Sequence, residues 1–192
     1  MANIIKKTTD LAMLIASQYA FEGSIIVDAT CGNGHDTLML AKTSPAKLYG
    51  FDIQEVAVTS TKELLSQEGF ESDIENGTIS IICDSHSNMH RYLTEKAHII
   101  MFNLGYLPGG DKTIVTQVSE TYDAIQNSLE LLAVDGVLCI TMYSGHDEGQ
   151  KEKDMLLKFG EELDSGIYHV AYINFLNQKK NPPEILLITR KK

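Results

Sequence analysis

The chain has 192 residues, 43% of them apolar and 22% charged, with a formal net charge of −10. That length suits one well-buried domain rather than two, and the balance excludes a disordered chain; no apolar run approaches the roughly 20 residues needed to span a bilayer. The acidic excess also argues against a general polyanion binder, because nonspecific affinity for nucleic acid comes from Lys and Arg neutralising phosphates.

The first ten residues are polar and hold no signal-type apolar core, so the expectation is a soluble protein of the cytoplasm. Thr8, Thr9 and Asp10 can cap a first helix whose apolar positions Leu11, Leu14, Ile15 and Tyr19 recur at helical spacing. A first strand, Ser24–Asp28, runs through two glycines into a helix over about His35–Lys42. A second strand, Lys47–Phe51, ends in Asp52, and a helix follows with Val56, Thr59, Leu64 and Leu65 inward, stopping near Gly69. The third strand, Thr78–Cys83, ends in Asp84, and Ser87–Leu93 is a short helix. The fourth, His98–Phe102, ends in Asn103 and enters a Gly/Pro-rich loop, Leu104–Lys112. A helix over Thr113–Leu132 uses Val115, Val118, Ile125, Leu129 and Leu132 as one face. Asp135-Gly136 is a turn before a fifth strand, Val137–Tyr143, and a charged helix covers Glu148–Leu163. Strands Tyr168–Leu176 and Glu184–Thr189 close the chain around the polar segment Asn177–Pro183.

Strands alternating with helical segments predict βαβ units and a parallel sheet with helices on both faces. The last two strands lie too close in sequence for a crossover helix, so they must pair antiparallel. The expected fold is therefore α/β and Rossmann-like: a mostly parallel seven-stranded sheet with an antiparallel C-terminal hairpin.

Three cysteines, Cys31, Cys83 and Cys139, are widely spaced and lack a C-x-x-C, which fits buried reduced thiols rather than disulfides or structural zinc. His86 and His90 are four apart but have no evident third ligand, so no metal is expected. His98 and His169 begin strands and are read as structural.

The first turn, Gly32-Asn33-Gly34-His35-Asp36-Thr37, reads G-x-G-x-x-T. A dinucleotide fingerprint wants Gly or Ala where Thr37 stands, and Asp28 puts an acid where a pyrophosphate would lie. That acid suits instead a ligand with a positive centre, such as S-adenosylmethionine. Asp52, about 20 residues on, can accept both hydroxyls of a ribose, or can cap the next helix. Asp84 can take an adenine amino group with Ser85 beside it, or can serve a turn. Asn103 stands at a strand tip beside the topological switch, where its carbonyl can accept from an amino group and Tyr106 can stack on a planar base.

Four blocks together carry a resemblance: Asp28–Thr37, Phe51–Gln54, Phe102–Lys112 (Phe-Asn-Leu-Gly-Tyr-Leu-Pro-Gly-Gly-Asp-Lys) and Tyr143–Gly149. With Asn177–Pro183 before the last strand, the chain resembles, over nearly its whole length, a bacterial family labelled "putative rRNA methylase". That family is associated with tRNA 5-aminomethyl-2-thiouridine methyltransferase. The resemblance implies a class I enzyme that binds S-adenosylmethionine and methylates the exocyclic amine of a modified wobble uridine in the tRNA anticodon stem-loop. It implies cofactor contacts from Asp28, Gly32, Gly34, Asp52 and Gln54. Thr30, Asn33, His35, Asp36 and Thr37 of the same turn, with Ile53, Asp84, Ser85, His86 and Asn103 at the neighbouring strand tips, complete the candidate cofactor set. Asn103 and Tyr106 would meet the acceptor, and Asp111, His146 or bulk water would take the proton.

A small-molecule or rRNA methyltransferase using the same cofactor site is the alternative, favoured by the acidic charge and the lack of an appended RNA-binding domain. A dehydrogenase or nucleotide-binding non-enzyme is disfavoured by Thr37 and Asp28. Basic residues form only local spots: Lys6-Lys7, Lys151 with Lys153, Lys179-Lys180 and Arg190–Lys192. The charged helix is expected to be a solvated face, with Lys151 and Lys153 within reach of an anticodon phosphate. RNA contact then needs a patch, or a homodimer that pools basic spots across a two-fold.

Overall fold

A computed structural model describes residues 5–104, 118–145, 147–179 and 181–192. Seven strands form one sheet in the order β3-β2-β1-β4-β5-β7-β6. They are β1 (Ile25–Asp28), β2 (Lys47–Asp52), β3 (Ile79–Cys83), β4 (Ala97–Asn103), β5 (Leu132–Met142), β6 (Tyr168–Ile173) and β7 (Glu184–Arg190). The first five pair in parallel, and β7 lies antiparallel between β5 and β6. The mostly parallel sheet with its antiparallel end is the arrangement expected from the alternation of elements. The chain reverses direction across the sheet between β1 and β4, and this opens the crevice outside their carboxyl ends.

Period-two alternation sends successive side chains of the central strands to opposite cores. Ile25, Val27, Ile100 and Phe102 join one cluster, which includes Ala124, Ile125, Leu156 and Phe159. Ile26, Ile99 and Met101 join the other, with Ala12, Met13, Leu40, Val58 and Leu65. Helices α1 (Thr8–Ser17), α2 (His35–Ala41) and α3 (Glu55–Gln67) therefore cover one face, and α4 (Glu71–Glu75), which sequence periodicity missed, continues from α3. A 3-10 helix (His86–Arg91), α5 (Val118–Leu131) and α6 (Asp147–Glu162) cover the other.

Several local expectations need correction. Thr8 is not a cap: its hydroxyl donates to the Pro183 carbonyl at 2.8 Å, while Asp10 accepts the backbone N–H groups of Lys6 and Lys7. On α1 and just past it, Leu11, Ile15 and Tyr19 pack half-buried against the core as expected, but Ala12, Met13 and Ala16 are the buried apolar residues and Leu14 is exposed. On α3 the buried residues are Ala57, Val58, Thr61 and Leu65, and Val56 is 62% exposed. On α3, Thr61 packs directly against the glycine turn, its Cα 2.9 Å from where a Cβ on Gly34 would stand.

Asp135-Gly136 does not precede β5 but lies inside it. Pairing jumps from Ala97 with Leu132 to Ile99 with Val137, so β5 bulges out extra residues, with Asp135 at φ 60°. Leu132 is thus strand, not helix face, whereas Ile125 and Leu129 are buried on α5 as expected. Val115, Val118 and the expected start of that helix at Thr113 lie outside the described side chains. Cys31 and Cys139 are buried, but Cys83 is exposed at the end of an outer strand. His98 is structural as expected: its Nδ1 accepts the Ile25 N–H at 3.0 Å, and its ring meets Phe21 edge-on.

Candidate cofactor and acceptor site

The carboxyl ends of β1, β2 and β4 bring Asp28, Asp52 and Asn103 to one rim, and the turn after β1 is folded over it. The Ala29 N–H donates to the Met101 carbonyl and the Cys31 N–H to the Phe51 carbonyl, both at 2.8 Å. The turn is thereby fastened to both flanking strands. Gly32 sits at φ 51° and Gly34 at φ 82°. A Cβ on Gly34 would stand 2.9 Å from the Thr61 Cα. Its immediate reason for being glycine is this close approach to α3, together with a left-handed backbone that side chains resist. Thr61 completes the clamp by donating to the Gly32 carbonyl at 2.9 Å.

Asp28 is not presented openly to a ligand. It is 2% exposed, its Oδ2 accepts the Thr37 hydroxyl at 2.6 Å, and its Oδ1 accepts the Thr30 N–H at 3.2 Å. Burial, and next the charge of Asp36, push its carboxyl up to about 7. Thr37, which breaks the dinucleotide fingerprint, is fully buried and spends its hydroxyl on this carboxylate.

Asp52 accepts the Gly32 N–H through Oδ2 at 3.1 Å and the Gln54 N–H through Oδ1 at 2.9 Å. The N-cap of α3 is Gln54, so the capping alternative for Asp52 is not realised. Burial raises its carboxyl above the ordinary range, and the Gln54 and Gly32 N–H groups hold it back. Beside it Ile53 is 44% exposed, an apolar side chain at an otherwise polar rim.

Asp36, in the first turn of α2, is raised by burial and restrained by Asn103. The Asn103 Nδ2 points to Asp36 Oδ2 at 3.4 Å, and its N–H donates to the Thr30 hydroxyl at 2.8 Å. Its Oδ1 is buried and has no hydrogen-bond partner among the described residues. Tyr143, just past β5, lies against the same pair: burial and the Asp36 charge raise its phenol, while a hydrogen bond from Asn103 opposes them. Sequence reasoning missed Tyr143 as a site residue. The available signal was its place at the tip of the expected fifth strand; the pairing of Asn103 with Thr141, which brings Tyr143 to the site, is visible only in the structure.

The β3 end is self-satisfied. Asp84 accepts the Ser85 N–H, the Asn88 amide and the Tyr92 hydroxyl, and these bonds hold it below the ordinary range. His86 is buried among Met89 and Phe102, meeting the Phe102 ring edge-on, and burial lowers it to about 4. Its position is that of a neutral core side chain. Asn33 and His35 are exposed at the turn. Tyr106, Asp111 and His146 lie outside the described residues. Among the described residues no group of three His, Cys, Asp or Glu side chains could hold a metal, and no helix is long and apolar enough to cross a membrane.

The charged helix is not a uniformly solvated face. Lys153 is mostly covered and pairs with Glu184 at 2.6 Å, which removes it as a free phosphate contact. Glu152 is pushed up to about 7 by burial. Lys151 is exposed.

Comparison with known proteins agrees with this geometry. Residues 48–189 match the family described as "Putative rRNA methylase". The chain is 32% identical, over 96% of its own length and 70% of the other's, to a chloroplastic tRNA (mnm(5)s(2)U34)-methyltransferase of Arabidopsis thaliana. It superposes on a "putative rRNA-methylase" of Clostridium thermocellum with a TM-score of 0.89 at 34% identity, covering 97% of this chain and 98% of that one. A "putative methyltransferase" of Streptococcus mutans, solved in complex with SAH, gives 0.85 at 38% identity over 97% and 99% of the two chains. With its glycine turn, acidic rim and antiparallel sheet end, the chain belongs to this rRNA methylase family and has the class I S-adenosylmethionine-dependent methyltransferase fold.

Proposed function

We propose that the protein is an S-adenosylmethionine-dependent RNA methyltransferase that N-methylates the 5-aminomethyl group of 2-thiouridine at the tRNA wobble position. The observation that carries this reading is Asn103: its buried Oδ1 has no partner among the described residues while its Nδ2 faces Asp36. A buried acceptor without a donor costs about 1–3 kcal/mol, a cost that an N–H of an entering amine removes. The tRNA specificity is supported by the printed name of the Arabidopsis relative. SAH in the Streptococcus mutans structure supports the cofactor.

The residues present fit that cofactor. Asp28, Asp36 and Asp52 converge on the turn, burial raises all three, and none has an ion-pair partner among the described residues. Such a rim favours a cation over a pyrophosphate. Asp52 is the residue to hold a ribose, Ile53 to cover an adenine face, and the Gly32–Thr37 turn to approach the remainder. S-adenosylmethionine supplies an electrophilic methyl group on a sulfonium centre.

What the chain itself must do is orient a neutral amine, since an in-line displacement gains most of its rate from alignment. Asn103 Oδ1 accepts one amine N–H and fixes the lone pair's direction. Asp36 keeps the amide from rotating, because its carboxylate accepts from Nδ2 only in that orientation. The proton released leaves through Asp111, His146 or water, as the sequence suggested. The sequence has no cysteine in the loop that follows Asn103, residues 104–112, so a thiolate adduct of the pyrimidine ring from that loop is no part of this chemistry. The same reading makes the chain one catalytic domain acting in the cytoplasm, and a homodimer that pools its basic spots.

Nucleoside mass spectrometry of tRNA from a deletion strain tests the function. Loss of the methylaminomethyl nucleoside with build-up of its aminomethyl precursor is expected. An unchanged nucleoside profile refutes the tRNA assignment and moves the enzyme to rRNA or small molecules.

A further inference from the structure

Away from the glycine turn, the same rim carries a second built feature that the mechanism does not use. Met142 at the end of β5 pairs with Glu184 at the start of β7, and Ile173 at the end of β6 pairs with Ile185. The segments leaving these strands enclose a cleft of about 280 Å3. Its floor is a network around Glu184, whose carboxylate takes the Lys153 ammonium at 2.6 Å, the Tyr172 hydroxyl, and the Ser144 hydroxyl at 3.4 Å. Lys153 also stands 5.6 Å from the centre of the Tyr172 ring. Within the floor the Lys153 and Glu184 charges answer each other.

The walls differ from the floor. They include Asn174, Phe175, Gln178 and Asn181; the Asn174 Nδ2 is turned to the Tyr172 hydroxyl at 3.4 Å, so its carbonyl is what it offers. An amide offers a donor and an acceptor side by side, which matches the edge of a nucleobase, and an aromatic ring offers a stacking face. Gln150 also lines the cleft, but its Nε2 is turned to Asp154 at 2.8 Å and only its carbonyl is available. Lys179, on the same segment, is exposed. The polar Asn177–Pro183 stretch, without a role in the cofactor site, has one here.

Position decides the occupant. From β4 to the β7–β6 pair is two to three strand spacings of about 4.8 Å, so the cleft lies roughly 10–15 Å along the rim from Asn103. A base seated there cannot be the one receiving the methyl group, but a neighbour in an unstacked single strand can reach it. We propose that this cleft is a second nucleotide subsite, which binds a base flanking the methylated one through Phe175 stacking and the Asn174 and Gln178 amides. The proposal rests on the reading that the substrate is RNA.

The test uses the full chain with S-adenosylmethionine and two substrates, an anticodon stem-loop bearing the aminomethyl nucleoside and that nucleoside alone. For Phe175→Ala and for the exposed double variant Asn174→Ala/Gln178→Ala, KM for the stem-loop should rise at least tenfold with kcat within twofold. Stem-loop Kd by fluorescence anisotropy should weaken in parallel, while calorimetric affinity for S-adenosylmethionine stays unchanged. Phe175→Tyr, which keeps the stacking face, should restore wild-type KM. A wild type that methylates the stem-loop, with both variants retaining its KM and Kd, overturns the subsite and leaves the function intact. A wild type that turns over the free nucleoside but neither binds nor methylates the stem-loop overturns both.

Discussion

Replacing Asp28 by Asn asks whether a buried acid is kept at a cost to stability for the sake of a cationic ligand. The folded chain holds this carboxyl at about 7, against 3.8 as its ordinary value. Below the ordinary value both states are protonated and the site costs nothing. As pH rises from about 4 to 7 the unfolded chain ionises while the folded one keeps its proton, so folding loses stability through that window. Above about 7 both are ionised and the loss is complete. About three pH units at 1.36 kcal/mol each amount to roughly 4 kcal/mol, and full burial leaves solvent little scope to reduce it. Asn keeps the shape: its carbonyl can accept the Thr30 N–H and its amide can donate to Thr37. Urea unfolding of the two proteins should therefore agree below about pH 4 and diverge upward, with Asp28→Asn more stable by a few kcal/mol at pH 8. Calorimetry at pH 8 should show the variant losing affinity for S-adenosylmethionine more than for uncharged SAH. A stability difference that is flat in pH, or a variant less stable at pH 8, refutes the ionisation argument. Equal losses for both ligands refute the electrostatic role.

Asp52→Ala removes the carboxylate proposed to hold the ribose hydroxyls through charge-assisted bonds of about 1.5–3 kcal/mol each, so calorimetry should show S-adenosylmethionine binding weakened at least tenfold. Unaltered affinity would confine Asp52 to bracing the turn. Asn103→Ala should leave cofactor affinity within twofold and depress kcat on the order of 100-fold; parallel loss of both would remove Asn103 from the acceptor side. Gly34→Ala forces a Cβ to within 2.9 Å of Thr61 at a left-handed φ, and denaturant titration should show about 1–3 kcal/mol of destabilisation. A smaller change would mean that α3 yields easily.

Where local pattern and packing agree, the chain could be read in advance. The Ile25–Asp28 run, the Gly32–Gly34 turn and the α2 start lie within a residue of their expected bounds, because each rests on backbone preference and short-range hydrophobic alternation. Helix faces were less legible. Hydropathy pointed to Leu14 and Val56, yet both are exposed while their neighbours Met13 and Ala57 are buried, because apolar residues border the face on both sides and only packing on the sheet fixes its centre. The Asp135-Gly136 pair illustrates the same limit: its turn chemistry was read correctly, but only pairing with β4 made it a bulge within a strand instead of a loop before one.

The sequence by itself determined the alternation of strands and helices, the antiparallel finish, and the acids and amide at the strand tips. These follow from periodicity and turn chemistry within a few neighbouring residues. Only the tertiary structure decided that β7 enters between β5 and β6, that Asp28 is sealed beneath Thr37, and that Asp36 faces an amide 67 residues away. It likewise decided that Lys153 is covered by Glu184 rather than open to solvent. Desolvation and long-range partnership depend on which surfaces meet, and no local pattern carries that information.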